Sequence, residues 1–401
     1  MKVLIVSAAF PPVKAGDSYH VLQLANYLAE RGLDVHILTT VGNGIEGKFP
    51  FQVNPHMRSW SWTELPRLAK CMRVCSPDAV LLIFSSWAYN GRQMIAFAPL
   101  LSKILIPRAV FVTQLENEHS QFCDSFFTGV LFKMIRVFTG QRKCDYALLT
   151  LLRASDRIIA SSQRHLSQLS ESLRNMDDKS VVIPAPPVLS ICPEKNGESR
   201  EHARNVLGVK ANEFIIAHFG YLYPSKGIEI LLEAFKIICR HQNNVRLLTV
   251  GGGPPAPASH SYIQQLHESL KQREFHGKII ETGEFPWDSN KGSLYLRAAD
   301  ACVLPFISGV SLNRSSVAAA AAHGLPIITT KGQILESAFV NRKNVLLCPP
   351  NNERALAEAI ESLIADPELR QRLSVGARDL AHRWFSWDNA LDQTIKALKN
   401  S

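Results

Sequence analysis

The chain has 401 residues, 46% of them hydrophobic, and a formal net charge of +9. This length exceeds the size at which a single core stops growing, so two domains are expected. The longest apolar stretches are broken by Lys or Arg, which excludes a helix that spans a bilayer.

The positive charge indicates acidic partners: nucleic acid, anionic lipid or phosphorylated substrates. The sequence contains no block of consecutive basic residues and no nucleic-acid signature, so no nucleic-acid partner is predicted. Eight cysteines occur without a C-x-x-C pair, which predicts reduced thiols in a cytoplasmic protein. No spacing typical of metal ligands and no D-x-D motif is present, so neither a metal site nor a cofactor is predicted.

The predicted elements begin with the apolar run KVLIVSA, a loop containing Gly16, and a helix over 18–31. Short β-type runs then alternate with helical patterns through both halves of the chain, and the polar segment 190–205 separates the halves. Continuous β-branched runs separated by helices predict parallel sheets covered on both faces. The fold class is therefore α/β, with two Rossmann-like, doubly wound parallel-sheet domains. Their predicted limits are 1–190 and 191–384, with a C-terminal helix at 385–401 that packs back on the first domain.

The stretch from Phe214 to Gly227, FIIAHFGYLYPSKG, predicts a strand that ends at Gly220 and turns into a helix opened by Lys226. Backbone N–H groups and the positive end of a helix dipole make such a turn an anion site. Lys226 adds an ammonium group to it. A lysine at a plain strand-to-helix turn is the structural alternative.

The order of these pieces resembles the retaining glycosyltransferases of the family 4 type, which have the GT-B fold of two Rossmann-like domains facing across a cleft. The resemblance covers nearly the whole chain. It rests on the opening LIVSAAFPPVKAGDSYHVLQLANYLAERGLDVHILTT and on later segments in family order: FGYLYPSKGIEILLEAF, LTVGGG, AADACVLPF, AHGLPIITT and the closing FSW.

The chain departs from the family at the donor site. Tyr221 stands where the family usually has an arginine, and the two positions usually held by glutamates contain Ser311 and Ala319. Arg314 opens a predicted helix with a run of alanines, and either Ser311 or Asn313 is expected to cap it. Arg314 is interpreted as a replacement for the missing arginine, and an ordinary capped helix with a surface arginine is the alternative.

Lys226, Arg314 and Glu116 are the predicted catalytic residues. Glu116 ends the strand RAVFVTQL, where the resembled family often places a histidine near the reacting sugar, although a solvated loop carboxylate is the alternative. Asp17 is either part of the glycine loop that faces the ligands or simply the N-cap of its helix. The predicted donor-binding residues are Gly16, Gly220, Tyr221, Ser311, Ser315, Ser316 and Glu336.

The segment Phe126–Lys143 mixes bulky apolar residues with lysine and arginine, and its apolar part is too short to span a bilayer. This composition suits a helix at a lipid interface, whereas a core helix with basic residues at its edges is the alternative. An anionic membrane surface is therefore one expected partner, with the protein in the cytoplasm or peripheral at the inner face of the membrane.

The resemblance implies transfer of a sugar from a nucleotide diphosphate sugar to a hydroxyl of a glycan or lipid-linked glycan, with retention of configuration and without a metal. Two alternatives remain open at this point. The missing glutamates are compatible with a catalytically inactive protein that binds the nucleotide sugar as a partner or scaffold. A nucleotide-sugar epimerase is the other alternative, although no converging set of acid/base residues is evident.

Overall fold

The computed structural model describes residues 1–43, 48–116, 146–170, 177–191, 199–253, 260–286 and 289–399. The predicted lipid-contacting segment Phe126–Lys143 lies outside these residues. The chain divides into two compact units, Met1–Pro184 together with Asp388–Ser401, and Ala185–Trp387. Within the described ranges, no helix is long and apolar enough to cross a membrane.

The first unit is built on a parallel sheet of seven strands in the order β3-β2-β1-β4-β5-β6-β7. β4 at its centre is the run AVLLIF, buried on both faces, as expected for a parallel sheet covered by helices. The strands are β1 Lys2–Val6, β2 Asp34–Thr40, β3 Gln52–Met57, β4 Ala79–Phe84, β5 Val110–Leu115, β6 Arg157–Ala160 and β7 Ser180–Val182. The helices of this unit are α1 Gly16–Glu30, α2 Leu65–Cys75, α3 Ala98–Leu105, α4 Tyr146–Ala154 and α5 Gln163–Ser170.

The second unit has a parallel sheet of six strands in the order β10-β9-β8-β11-β12-β13. Its strands are β8 Phe214–Phe219, β9 Val245–Val250, β10 Ile279–Glu281, β11 Ala301–Leu304, β12 Ile327–Thr330 and β13 Leu346–Cys348. Its helices are α6 Arg200–Val206, α7 Ile228–Cys239, α8 His260–Leu270, α9 Lys291–Ala298, α10 Ser315–Ala322, α11 Glu353–Ala365 and α12 Pro367–Trp384. The last helix, α13 Trp387–Leu398, passes into the first unit from Asp388 onward.

The side chains of β8 alternate between the two hydrophobic cores of the second unit. Ile215 and Ala217 pack into one hydrophobic cluster with α10, whereas Ile216 packs into the other with α7 and α11. Successive side chains of a strand point to opposite faces of its sheet, so a continuous apolar run serves both. The two sheets, their parallel strands and the covering helices confirm the predicted fold class.

Specific hydrogen bonds tie the ends of the second unit to it. The Ala185 N–H donates to Leu312 O at 3.0 Å, and Trp387 Nε1 donates to Pro187 O at 2.9 Å. Further along α13, the Arg31 guanidinium donates to Asp392 at 2.8 Å within the first unit. These contacts explain why the chain changes unit at 184/185 and again at 387/388.

One glycine fixes where α7 begins. Gly227 has φ 70°, and a Cβ added there would lie 2.1 Å from the carbonyl oxygen of Pro305. The backbone after β8 therefore touches the backbone after β11 directly, and this contact places Lys226 at the end of both strands.

We expect Gly227→Ala to destabilise the protein more than Gly208→Ala does. Gly208 has φ 63° and open space around its Cβ position, so its substitution reports backbone strain alone, about 1–2 kcal/mol. Gly227→Ala adds the clash with Pro305, which should lower the free energy of unfolding by about 1–3 kcal/mol more. Denaturant unfolding measures both variants, and equal losses would contradict the backbone contact.

Candidate functional site

The second unit buries a lysine at the carboxyl ends of its central strands. Lys226 is 7% exposed and closes a short 3₁₀ turn, Pro224–Lys226, after β8. Its Nζ lies 3.5 Å from Ser316 Oγ, the outer limit of a hydrogen bond, and 5.0 Å and 5.3 Å from the ring centroids of Phe306 and Tyr223. Ligands of doubly wound sheets bind at this end of the strands.

Burial acts against the charge of Lys226. The pKa of Lys226 is lowered to about 7, mainly by burial and secondly by the positive charge of the nearby Arg314. None of the carboxylates in the described part of the chain forms an ion pair with it. A desolvated cation without a counter-ion is unfavourable in the ligand-free protein, and a bound anion removes that cost.

Arg314 shares an aromatic platform with Lys226. The Cζ atom of Arg314 lies 4.7 Å from the Phe306 ring centroid, and its Nη2 donates to Ser308 Oγ at 3.0 Å. Its Nε is buried and has no hydrogen-bond partner among the described residues. The structure therefore brings Lys226 and Arg314 to one ring and leaves donor capacity on the guanidinium.

The start of α10 differs from the sequence prediction. The helix begins at Ser315, the capping position is Arg314, and no side chain caps it, so the prediction of a cap by Ser311 or Asn313 is wrong. Glu336 explains the difference: its carboxylate accepts the Leu312 N–H at 2.7 Å and holds the loop by its backbone.

The uncapped helix start leaves polar groups available. Ser311 Oγ and Asn313 Oδ1 are buried without a partner in the described residues. Ser316 lies beside Lys226, and Ser315 is half-buried in the first turn. N–H groups that no side chain caps, at the positive end of a helix, suit an anion.

The other predicted donor-site positions in this unit have simple surroundings. Gly220 adopts φ 122°, and a Cβ there would lie 3.8 Å from Lys226 Nζ. Tyr221 is half-buried in the same loop. Ala319 is fully buried in the core on the α10 side of the sheet, and its carbonyl oxygen accepts from His323 Nδ1 at 2.8 Å.

Sequence reasoning missed two residues here, Phe306 and His218. His218 lies in β8 with no exposure, and its Nδ1 bonds Val303 O at 2.9 Å. Burial, with a smaller contribution from Lys226, lowers the pKa of His218 to about 4, so the ring is neutral. A histidine inside the apolar run FIIAHF was the available signal, whereas nothing in VLPF marked Phe306 as a platform.

The first unit gathers carboxyl groups at the carboxyl ends of β4 and β5. Asp17 accepts hydrogen bonds from Ser85 Oγ at 2.6 Å and from Trp87 Nε1 at 3.0 Å. It is not the N-cap of α1, because that helix starts at Gly16 and Ala15 occupies the capping position. Burial, and then the charge of Glu116, raise the pKa of Asp17 to about 6.

Glu116 is only partly exposed, and its carboxylate has protein partners, so its interpretation as a solvated loop carboxylate is wrong. Its side chain is 10% exposed, and its Oε1 accepts from Gln114 Nε2 at 2.7 Å and lies 3.8 Å from His20 Nε2. Gln114 Nε2 also lies 2.9 Å from His20 Nε2. Burial raises the pKa of Glu116 to about 7 and lowers that of His20 to about 4.

Gly16 begins α1 beside Asp17. A Cβ at Gly16 would meet nothing within 4 Å, so no protein group requires glycine there. Among the residues with a described position, no three His, Cys, Asp or Glu side chains gather as a metal site would need. Each unit thus has its own chemistry: cations and helix N–H groups in the second, and carboxyl groups able to bond hydroxyls in the first.

We expect Glu116→Gln to stabilise the protein at pH 8 and to change little at pH 5. The carboxyl has a pKa of about 7 when folded and 4.5 as its ordinary value, so the folded state holds an extra proton between these values. Stability therefore falls as pH rises through this window, and glutamine mimics the protonated form. Thermal unfolding at both pH values measures the effect; an equal shift at pH 5 and pH 8 would contradict it.

Two family models match the chain. The model described as Glycosyltransferase Family 4 matches residues 16–188, and the model described as Glycosyl transferases group 1 matches residues 199–380. The matches fall on the two units and between them contain Asp17, Glu116, Lys226 and Arg314.

Curated relatives are similar over part or all of the chain. A D-inositol 3-phosphate glycosyltransferase of Jonesia denitrificans is 26% identical over 249 residues, 60% of this chain and 55% of that protein. The chain thus spans just over half the length of that relative. An alpha-maltose-1-phosphate synthase of Mycolicibacterium smegmatis is 24% identical over 424 residues, covering 99% of this chain and 98% of that protein.

Solved structures resemble the whole chain. A sucrose-phosphate synthase from Thermosynechococcus elongatus has a TM-score of 0.72 at 18% identity, covering 99% of this chain and 98% of that one. Anabaena HepE, solved in complex with UDP and glucose, has a TM-score of 0.71 at 17% identity, covering 99% of each chain. These likenesses show the fold, and the family matches show the class. The chain is a GT-B glycosyltransferase, with a Glycosyltransferase Family 4 domain followed by a Glycosyl transferases group 1 domain.

Proposed function

We propose that the protein transfers a sugar from a nucleotide diphosphate sugar to a hydroxyl acceptor, a glycan or a lipid-linked glycan. The observation that carries this proposal is Lys226, a buried ammonium without a carboxylate partner in the described residues, beside a second cation, Arg314. Relatives named as glycosyltransferases, and a structural neighbour solved with UDP and glucose, support a nucleotide-sugar donor.

The diphosphate would occupy the position that both cations and the start of α10 share. Lys226 supplies a point charge, and Arg314 supplies a planar donor whose Nε is unused. The first N–H groups of α10, with Ser315 and Ser316, add donors at the positive helix end. These groups stabilise the charge that develops on the departing diphosphate.

Retention of configuration and independence from metal are further parts of the proposal. Two cations can neutralise a diphosphate leaving group without a divalent ion. In a retaining transfer of this kind the acceptor attacks from the side of the leaving group, which requires no protein nucleophile. Ser311, whose buried hydroxyl lacks a partner in the described residues, is proposed to bond a donor hydroxyl.

Glu116 is proposed to bond a sugar or acceptor hydroxyl from the first unit. With a pKa of about 7, it exists in both protonation states near neutral pH and can donate or accept. Asp17, held by Ser85 and Trp87, contributes a second fixed acceptor.

Removing either cation should damage transfer. We expect Lys226→Ala and Arg314→Ala each to lower kcat by about a hundredfold, the scale of losing one charge-stabilising donor. Arg314→Lys should be impaired as well, because an ammonium cannot reproduce the planar fork. Lys236→Ala, on α7 and paired with Glu233 at 2.8 Å, is the matched control and should retain activity. Full activity of Arg314→Ala would contradict the shared site. A separate assay with EDTA tests the metal, and unchanged activity there would support independence from metal.

Donor binding should weaken as pH rises above 7. A diphosphate favours the charged form of Lys226, so binding takes up a proton wherever the free lysine is neutral, above about pH 7. Affinity for UDP should fall by up to about tenfold per pH unit. Titration calorimetry in two buffers of different ionisation enthalpy measures the number of protons taken up when UDP binds.

The variants give this pH dependence a specific signature. Lys226→Ala should abolish the proton uptake, whereas Arg314→Ala should move its onset to higher pH, because Arg314 is one cause of the low lysine pKa. A slope that survives in Lys226→Ala would assign the proton to another group.

A further inference from the structure

One face of the first unit combines exposed apolar side chains with cations. It is formed by α2, α3 and the turn before α2, and we call it the α2–α3 face. Val74 is 77% exposed and Ile104 76%, while Trp62 and Leu100 are each 41% exposed. Its exposed basic residues are Lys70, Arg73 and Lys103.

Sheet topology places both helices on the same side. From β3 to β4 and from β4 to β5 the chain moves in the same direction across the sheet. Parallel crossovers are right-handed, so α2 and α3 lie on one face of the sheet and run in the same direction. The Trp62 and Phe97 rings, at the starts of the two helices, are 5.0 Å apart.

The spacing on each helix produces aligned exposed stripes. On α2, Leu68 and Met72 are buried, which leaves Lys70, Arg73 and Val74 outside. On α3, Leu100 and Ile104 are separated by one turn and therefore share a face. The two helices are neighbours, and the exposed apolar and basic side chains of both lie on their solvent-facing sides.

The charges of this surface are only partly compensated. Lys103 pairs with Asp156 at 3.3 Å, and Glu64 pairs with Arg67 at 2.9 Å. Within the described residues, neither Lys70 nor Arg73 forms an ion pair. Beyond the end of α3, Lys179 donates to the carbonyl oxygens of α4, and its pKa is lowered by burial and then by Lys103.

We propose that the α2–α3 face docks on an anionic lipid surface. Aliphatic chains set singly among cations suit the boundary between headgroups and acyl chains, because the apolar groups insert while lysine and arginine meet lipid phosphates. A nucleic acid would use the cations but gain nothing from Val74 and Ile104. The proposal does not depend on the identity of donor or acceptor.

Vesicle sedimentation tests this proposal with the full chain. The protein should bind vesicles of phosphatidylcholine with phosphatidylglycerol, bind weakly to phosphatidylcholine alone, and lose binding as salt rises. The double variant Lys70→Glu with Arg73→Glu should lower the partition coefficient by about 30-fold, since each cation near the surface contributes about 1 kcal/mol. Val74→Ser with Ile104→Ser should lower it as well, through the apolar contact alone.

A matched double variant separates this face from net charge. Lys271 and Arg273 are exposed in the second unit and form no ion pair in the described part of the chain. Lys271→Glu with Arg273→Glu changes the charge equally and should bind vesicles as the wild type does. Thermal unfolding of all three variants should match that of the wild type, which shows that they fold.

Three results would overturn the proposal. Equal binding to neutral and anionic vesicles removes the electrostatic basis, and an equal loss in the Lys271/Arg273 variant shows that only net charge matters. Undiminished binding by the Val74/Ile104 variant contradicts insertion of the aliphatic side chains.

Discussion

The candidate site of the second unit depends on Lys226, a lysine that is buried with no counter-ion among the described residues. An ammonium removed from water is costly, and the surroundings of Lys226 reduce that cost only in part, through the faces of Phe306 and Tyr223 and a long contact to Ser316. Arg314 on the same ring increases the repulsion. Holding two cations together costs free energy in the ligand-free protein. A bound anion offsets both the desolvation of Lys226 and its repulsion from Arg314, so the site favours an anion.

That lysine is held by backbone contacts. Gly227 approaches the Pro305 carbonyl too closely for any side chain, and the Ile307 N–H donates to Ser225 O at 3.2 Å. These contacts join the loop after β8 to the loop after β11 and hold Lys226 against Phe306. Since loops fixed to a sheet position charge more accurately than free side chains do, the geometry suits electrostatic stabilisation of a leaving group.

Much of this architecture could be predicted from local sequence, because parallel sheets require continuous apolar strands and helices between them. Lys226 could be predicted for the same reason: the glycine, loop and helix start adjoin it in the chain. The errors arose where a partner lies far away in sequence. Leu312 is bonded by Glu336, 24 residues later, and Asp17 by Ser85, 68 residues later. No local sequence pattern shows which carboxylate will accept a hydrogen bond from a residue far away in the chain. Nor does one show that Glu116 will be enclosed by the fold.

The departures from the family pattern have a consistent electrostatic consequence. Positions 311 and 319, where glutamates are usual in the resembled family, hold a serine and a fully buried alanine, so neither adds negative charge near the cations. Glu336 does carry a carboxylate, but that group is bonded to the Leu312 amide. With fewer carboxylates nearby, Lys226 and Arg314 remain available to a phosphate. Under the proposed function, recognition of the transferred sugar would use neutral groups such as Ser311 and Asn313, whose hydrogen bonds to hydroxyls are weaker than those of a carboxylate. The proposed function therefore implies that this unit favours the diphosphate through its two cations, and that sugar specificity here depends on the shape of the loop that Glu336 holds.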